Sequence, residues 1–348
     1  MKIAFFQIVA RRTDLNSWVS YESGWSYLIS TGLFNALTCQ HADIIYIPSD
    51  SCSVREQIQS CDIVILNDFN HAFANLGEVC TLDLETLIEI RRSKKLFGII
   101  NESVFHADSE SPRQPIDLVR EKLLRQSIAL LDGVITVDYY DFIYFRIIGV
   151  NVMYSPFASP YLGGLIPRVM LNSRPIFLGS IYPYRKRFLE MNSLCNKILV
   201  TNLALDLVAG HKCCTEINRA VGNADNTSYF KSFDEFKFRQ FRKYISALGG
   251  GGVVINLPSI FRGIACRMVE CVQLNSYVIC ELPRTDFEVS LCSQFSNVIF
   301  YKAEIIGDLA DKINYALTGP SPIASKLENS IFDIRVRAKQ IIDFITIN

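Results

Sequence analysis

Asp62-Ile63-Val64-Ile65-Leu66-Asn67-Asp68 decides the fold: four large aliphatic residues in a row, with polar residues at both ends. Strict alternation would mark a strand with one wet face. A run without alternation marks a strand covered on both faces, which is the habit of parallel sheets flanked by helices. Working outward, Ile3–Val9 and Ile44–Ile47 read as strands, with helical spacing over Trp25–Leu37 and a short helix at Ser53–Gln59. On the other side come an amphipathic Leu82–Ser93, a strand at Lys95–Ile100 and a helix over Leu118–Leu131. A strand at Gly133–Val137, a helix at Tyr139–Ile148 stopped by Gly149, and a strand at Asn151–Tyr154 complete the first half. Such strand–helix alternation builds an α/β domain of Rossmann type.

From Ser155 to Pro175 the composition changes, with Pro156, Pro160, Gly163, Gly164, Pro167 and Pro175 in close succession, as in a linker. The pattern then restarts. Strands are expected at Pro175–Gly179, Lys197–Leu203, Val253–Leu257, Tyr277–Glu281 and Val298–Tyr301. Helices are expected at Arg185–Leu194, Phe233–Leu248, Cys266–Leu274, Ile306–Leu317 and Ile331–Ile345. The chain therefore reads as two Rossmann-like domains, 1–160 and 175–330, facing a central cleft. Parallel sheets bind ligands beyond the carboxyl ends of their strands, so that cleft is the place to look.

Bulk properties agree. A length of 348 residues exceeds what a single core usually serves, and 49% hydrophobic residues supply two. Thirty-five basic residues cancel 35 acidic ones, which argues against nucleic acid as a partner and leaves only a local basic groove as its route. The 11 cysteines include no Cys-x-x-Cys pair and several stand in apolar runs, so reduced structural thiols in a cytoplasmic protein are expected. The first ten residues run straight into Arg11 and Arg12 without a cleavage-like site, so they read as a strand and not a signal peptide. No apolar run approaches the ~20 residues that span a bilayer.

Two stretches carry chemistry. In Phe177-Leu178-Gly179-Ser180-Ile181-Tyr182-Pro183-Tyr184-Arg185-Lys186-Arg187 an apolar strand enters a small-residue turn and then three cations opening a helix. Backbone N–H groups and the helix dipole suit a phosphate there, with Arg185 or Arg187 adding bidentate bonds. A solvated basic turn is the plain alternative. The second stretch runs from Val253 through Asn256-Leu257-Pro258-Ser259 and Arg262-Gly263 to Arg267-Met268-Val269-Glu270. A carboxylate two turns into the helix is suited to gripping two ribose hydroxyls. Alternatively Arg267 and Glu270 simply pair with each other at i, i+3. Gly249–Gly252 precedes a strand, the reverse of a phosphate loop, and reads as a connector.

In this order the two stretches resemble GT-B glycosyltransferases, in particular the CgeB-like branch of spore-maturation type, over residues 130–320. The resemblance implies transfer of a sugar from a nucleotide-sugar donor, without metal or other cofactor, to an acceptor saccharide, small molecule or protein. It assigns Glu270 to the donor ribose and Arg185 or Arg187 to the diphosphate. Ser259 to Gly263, including Arg262, would line the sugar-phosphate turn beside Gly179, Ser180 and Arg267. It also implies that the helix in 331–348 crosses back onto the first domain. Many retaining relatives carry two glutamates eight positions apart, and the position paired with Glu270 here is Arg262. Retention is nonetheless favoured slightly over inversion.

The first half would present the acceptor. Trp18, Tyr21, Glu22, Trp25 and Tyr27 follow the first strand, where the aromatic residues offer stacking faces, and Asn67–His71 and Asn101–His106 follow strand ends. An inverting enzyme would need a base among Glu22, Asp68, His71, Glu102 and His106, and Asp68, Glu102 and His106 are the candidate catalytic groups. Asp138 with Asp141 reads as a helix cap and not as a metal site. Alternatives on the same architecture are a nucleotide-sugar epimerase, a phosphorylase, or a protein that binds sugar nucleotides without catalysis.

Overall fold

The structure is a computed structural model that describes residues 1–7, 11–12, 24–48, 54–71, 78–79, 84–104, 118–162, 174–179, 181, 183–201, 226–249, 252–258 and 262–348. Its strands are β1 Ile3–Gln7, β2 Arg11–Arg12, β3 Ile44–Pro48, β4 Ile63–Asn67, β5 Glu78–Val79, β6 Lys95–Ile100, β7 Gly133–Thr136 and β8 Val152–Tyr154, then β9 Ile176–Leu178, β10 Leu199–Thr201, β11 Val253–Asn256, β12 Tyr277–Glu281 and β13 Val298–Tyr301. The α-helices are α1 Thr31–Gln40, α2 Val54–Gln59, α3 Leu84–Arg91, α4 Leu118–Ile128, α5 Tyr139–Ile147, α6 Pro183–Met191, α7 Asn226–Gly249, α8 Cys266–Cys271, α9 Asp286–Cys292, α10 Asp308–Thr318 and α11 Ile334–Ile347.

Two parallel sheets form. The first runs β3-β1-β4-β6-β7-β8 and the second β10-β9-β11-β12-β13. In register Ile3 lies beside Ile44 on one side and Ile63 on the other, so β1 and β4 are neighbours although β3 lies between them in sequence. Chain direction across the sheet therefore reverses between β1 and β4. In the second sheet the same reversal falls between β9 and β11. Crevices open at such switch points, beyond the carboxyl ends of the strands. Those ends are Gln7 and Asn67 in one sheet, and Leu178 and Asn256 in the other.

Local chemistry sets the boundaries. All five residues of β4 are buried, as a strand covered on both faces requires. The Asp138 side chain accepts from the Asp141 backbone N–H at 3.0 Å and starts α5, and Gly149, at φ 79°, ends it in the left-handed conformation that favours glycine. Thr285 and Glu288 form a capping box around α9, the Thr285 hydroxyl donating to Glu288 Oε2 at 2.9 Å and accepting from its N–H at 3.3 Å. The expected helix over Trp25–Leu37 breaks in two. A 3-10 turn spans Gly24–Ile29, and α1 begins at Thr31, where Gly32 approaches the Tyr27 carbonyl too closely for a side chain (2.6 Å to an added Cβ).

The halves are joined through an apolar cluster that includes Tyr27, Val137 and Phe157 from one side and Phe241, Ile264 and Phe332 from the other. The expected linker is not a free tether at its start. Ser155, Phe157, Ala158 and Ser159 are buried, Ser159 bridges to Asp333, and Gln273 donates to the Ser159 hydroxyl and the Pro160 carbonyl. Helix α11 lies on the first sheet, its Phe344 ring 5.8 Å from Phe97 and in the space beside Gly133. A second bridge is α5 to α9, where Tyr139 and Phe287 stack at 4.1 Å. Beneath it burial, and then the nearby Asp138 charge, push the Glu288 carboxyl up to about 8. No helix among the described residues is long and apolar enough to cross a membrane.

Candidate functional site

At the switch point of the first sheet the ends of three strands share one polar network. Asp68 follows β4 with φ 57°, a left-handed conformation that Asp tolerates better than most residues. This turn brings its carboxylate back over the sheet. Its Oδ2 accepts from Gln7 Nε2 at 2.6 Å and its Oδ1 from Asn101 Nδ2 at 2.6 Å. Asn67 Nδ2 donates to Gln7 Oε1 and to the Ile29 carbonyl, both at 2.6 Å, and the Asn101 backbone N–H donates to Asn70 Oδ1 at 2.9 Å. Gln7 is therefore a site residue that the sequence reading did not single out, whereas Asn70 falls in the Asn67–His71 stretch expected there. Glu102 is half-buried next to Asn101 and makes no hydrogen bond or ion pair with the described residues. Beyond it Asp141 takes the Ser103 hydroxyl at 2.9 Å and the Val104 N–H at 2.7 Å, fixing the loop that leaves β6.

Tyr27 corrects one expectation. Its ring is buried and stacks on Phe241 of α7 at 5.0 Å, so it packs the two halves together and offers no open stacking face. His106, Trp18, Tyr21 and Glu22 lie outside the described residues, as does the Trp25 side chain.

At the second switch point Phe177 lies between two guanidinium groups, Arg185 at 5.2 Å and Arg267 at 4.9 Å from its ring centre. Arg185 Nε donates to the Pro258 carbonyl at 2.8 Å. Arg267 Nη1 donates to Asn256 Oδ1 at 2.7 Å, and its Nη2 to the Leu178 carbonyl. The two arginines thus tie the end of β9 to the end of β11. Gly179, at φ 153°, is required by that tie, because a Cβ there would stand 2.9 Å from Arg267 Nη2. Arg187 is exposed on α6, away from this cluster. Arg262 forms ion pairs with Glu281, at the end of β12, at 3.4 Å and with Glu304, just after β13, at 2.6 Å, so this departure from the paired-glutamate pattern is tied to the neighbouring strand ends. Ser180 and Ser259 lie outside the described residues.

Glu270 is the least satisfied group here. It is fully buried on α8, and neither carboxylate oxygen has a hydrogen-bond partner. The alternative i, i+3 pair with Arg267 does not form, since that guanidinium turns toward the strand ends. Burial pushes the carboxyl up to about 7, against the weaker opposing pull of Tyr244 and of the Arg267 charge. An unpaired buried carboxylate is costly, so its retention points to a partner that the protein itself does not supply.

No protein-family model matches the chain, and no curated protein matches it in sequence. Solved structures do. A sucrose-phosphate synthase from Thermosynechococcus elongatus is 9% identical, with 99% of this chain and 97% of that chain covered at a TM-score of 0.53. HepE from Anabaena, in complex with UDP, is 12% identical over 100% and 97% at 0.48. The UDP-GlcNAc 2-epimerase from Methanocaldococcus jannaschii is 8% identical over 100% of both chains at 0.47. At such identities the likeness concerns the fold alone, and the first structure carries it. The chain has the GT-B architecture, two Rossmann-like domains with parallel sheets.

Proposed function

We propose that this protein is a glycosyltransferase that takes a sugar from a nucleotide-linked donor and passes it to an acceptor hydroxyl, without a metal ion. The observation that carries the reading is Glu270. A fully buried carboxylate with two open acceptor oxygens suits a vicinal diol, whose hydroxyls would each donate to one oxygen. The ribose of a nucleotide offers such a diol. The CgeB-like resemblance, which rests on the Phe177–Arg187 and Asn256–Glu270 stretches, assigns the same residue to the same role. In this reading Gly179, Ser180, Ser259 and Gly263 line the turns beside the donor, and Arg185 and Arg267 hold those turns in place.

The first domain would then hold the acceptor beside Asp68, Glu102 and His106. Asp68 already accepts two amide hydrogen bonds, which fixes its direction. A carboxylate so engaged suits stabilisation of an oxocarbenium-like state more than abstraction of a proton, and this favours retention of configuration. Domain closure would expel water from the donor.

Nucleoside diphosphate release from UDP-, GDP-, ADP- and TDP-sugars, measured with and without a panel of acceptors, tests the reading. Release from one donor that rises at least tenfold with one acceptor class is the expected result. Conversion of the donor with no acceptor present would favour an epimerase. Binding without turnover on any acceptor would leave a non-catalytic sugar-nucleotide protein.

A further inference from the structure

Arg337 lies on the buried stripe of α11 and is fully enclosed, although nothing in its local sequence marks it as functional. Its Nε donates to the Ser155 hydroxyl at 3.2 Å, and its guanidinium carbon stands 5.9 Å from the Phe157 ring centre. Both terminal nitrogens, Nη1 and Nη2, lack any hydrogen-bond partner. Asp68, beyond the end of β4, and Cys266, at the start of α8, both lie within electrostatic reach of it, and burial holds the Cys266 thiol well above its ordinary value, so Asp68 is the charged one of the two. Cys266 is likewise within electrostatic reach of Glu270. Burial brings the guanidinium down to about 10, which still leaves it charged at neutral pH.

Two buried groups of opposite sign thus both act on Cys266, a carboxylate with open acceptors and a guanidinium with open donors. The other cations near the strand ends are engaged. Arg185 and Arg267 donate to carbonyl oxygens, and Arg262 has two glutamates. Asp68 does not neutralise Arg337 by contact, since its oxygens accept from Gln7 and Asn101 and the Nη groups remain open.

We propose that Arg337 is the anion-binding residue of this site, its two open Nη groups taking a phosphate. A guanidinium fork matches phosphate oxygens bidentately, which a lysine cannot do. The proposal deepens the nucleotide-sugar reading, because the donor diphosphate is one source of that phosphate. A phosphate borne by the acceptor is the other.

The test uses the whole chain and its Arg337→Met and Arg337→Lys variants. Thermal melting and calorimetry are run with UDP, GDP, ADP and TDP, with their parent nucleosides, and with inorganic phosphate. Without additives Arg337→Met should melt at or above the wild-type temperature, because an unpaired buried cation is replaced by an apolar side chain of similar length. A donor phosphate predicts that the diphosphate which binds wild type loses at least tenfold in Arg337→Met, less in Arg337→Lys, with its nucleoside unaffected. An acceptor phosphate predicts unchanged diphosphate binding, with inorganic phosphate raising the melting temperature of wild type and not of Arg337→Met. Equal responses of wild type and Arg337→Met to every phosphate-bearing probe overturn the proposal. So does a large loss of melting temperature in ligand-free Arg337→Met, which would make the arginine structural. If no nucleotide binds while inorganic phosphate still separates wild type from Arg337→Met, the nucleotide reading fails and the Arg337 site stands.

Discussion

Glu270→Gln should make the ligand-free protein more stable than wild type at pH 8, by about 3 kcal/mol relative to any difference at pH 4.5. The carboxyl titrates at about 7 in the folded chain against an ordinary value of 4.5. A raised folded value means that the folded state holds its proton longer than the unfolded one. Glu270 therefore costs nothing below pH 4.5, and its penalty grows as pH rises through 7. Glutamine carries no proton to lose, so the gap between variant and wild type should open over that interval and stay constant above it. Comparing the two proteins at each pH cancels other buried acids, such as Glu288 and Asp138, that also titrate upward. Paired denaturant melts at pH 4.5, 6 and 8 provide the check. A gap that does not change with pH would mean that Glu270 already has a partner. A site residue that destabilises its own fold is the usual signature of a group kept for a ligand.

Arg267→Lys should destabilise the protein by about 2–3 kcal/mol, and Arg267→Ala by somewhat more. Two charge-assisted hydrogen bonds leave one planar group in different directions, to Asn256 Oδ1 and the Leu178 carbonyl, while its face covers Phe177. A lysine ammonium can reach one of those acceptors but cannot cover the ring in the same pose. The acceptors lie at the ends of β9 and β11, so the loss should also free the Gly179 turn. Urea melts at pH 7 measure the loss. A variant within 0.5 kcal/mol of wild type, on the scale of an ordinary surface substitution, would show that the strand ends need no such tie.

The fold was legible because unalternating strands leave few alternatives. Lys95–Ile100, Tyr277–Glu281 and Val298–Tyr301 were read to the residue, being apolar runs with clear polar or turn boundaries. Helix α9 was missed although Thr285-x-x-Glu288 carries a capping box, because its seven residues are too short to show a period. The break at Ser30 was invisible for a different reason: it comes from Gly32 pressing on the Tyr27 carbonyl, a contact between turns. Within the site, Glu270 could be named from its motif, but its pairing with Arg267 could not be judged from spacing alone. Arg267 finds better acceptors on two strands distant in sequence. Gln7 was read as an interior residue of the Ile3–Val9 strand, and only the neighbouring β4 gives it Asp68. Arg337 did leave a signal. It falls at the helical spacing of Ile334, Ala338, Ile341 and Ile345, and a cation in an apolar stripe is a buried cation.

The central claim is a nucleotide site built around Glu270. Its most direct test is calorimetric titration of wild type and Glu270→Ala with UDP, GDP, ADP, TDP and CMP at pH 7.5. One nucleotide should bind wild type and lose ~1–3 kcal/mol in the variant, the worth of a hydrogen bond to a charged group. Binding of that nucleotide with equal affinity to both proteins would contradict the account, as would no binding of any of them to wild type.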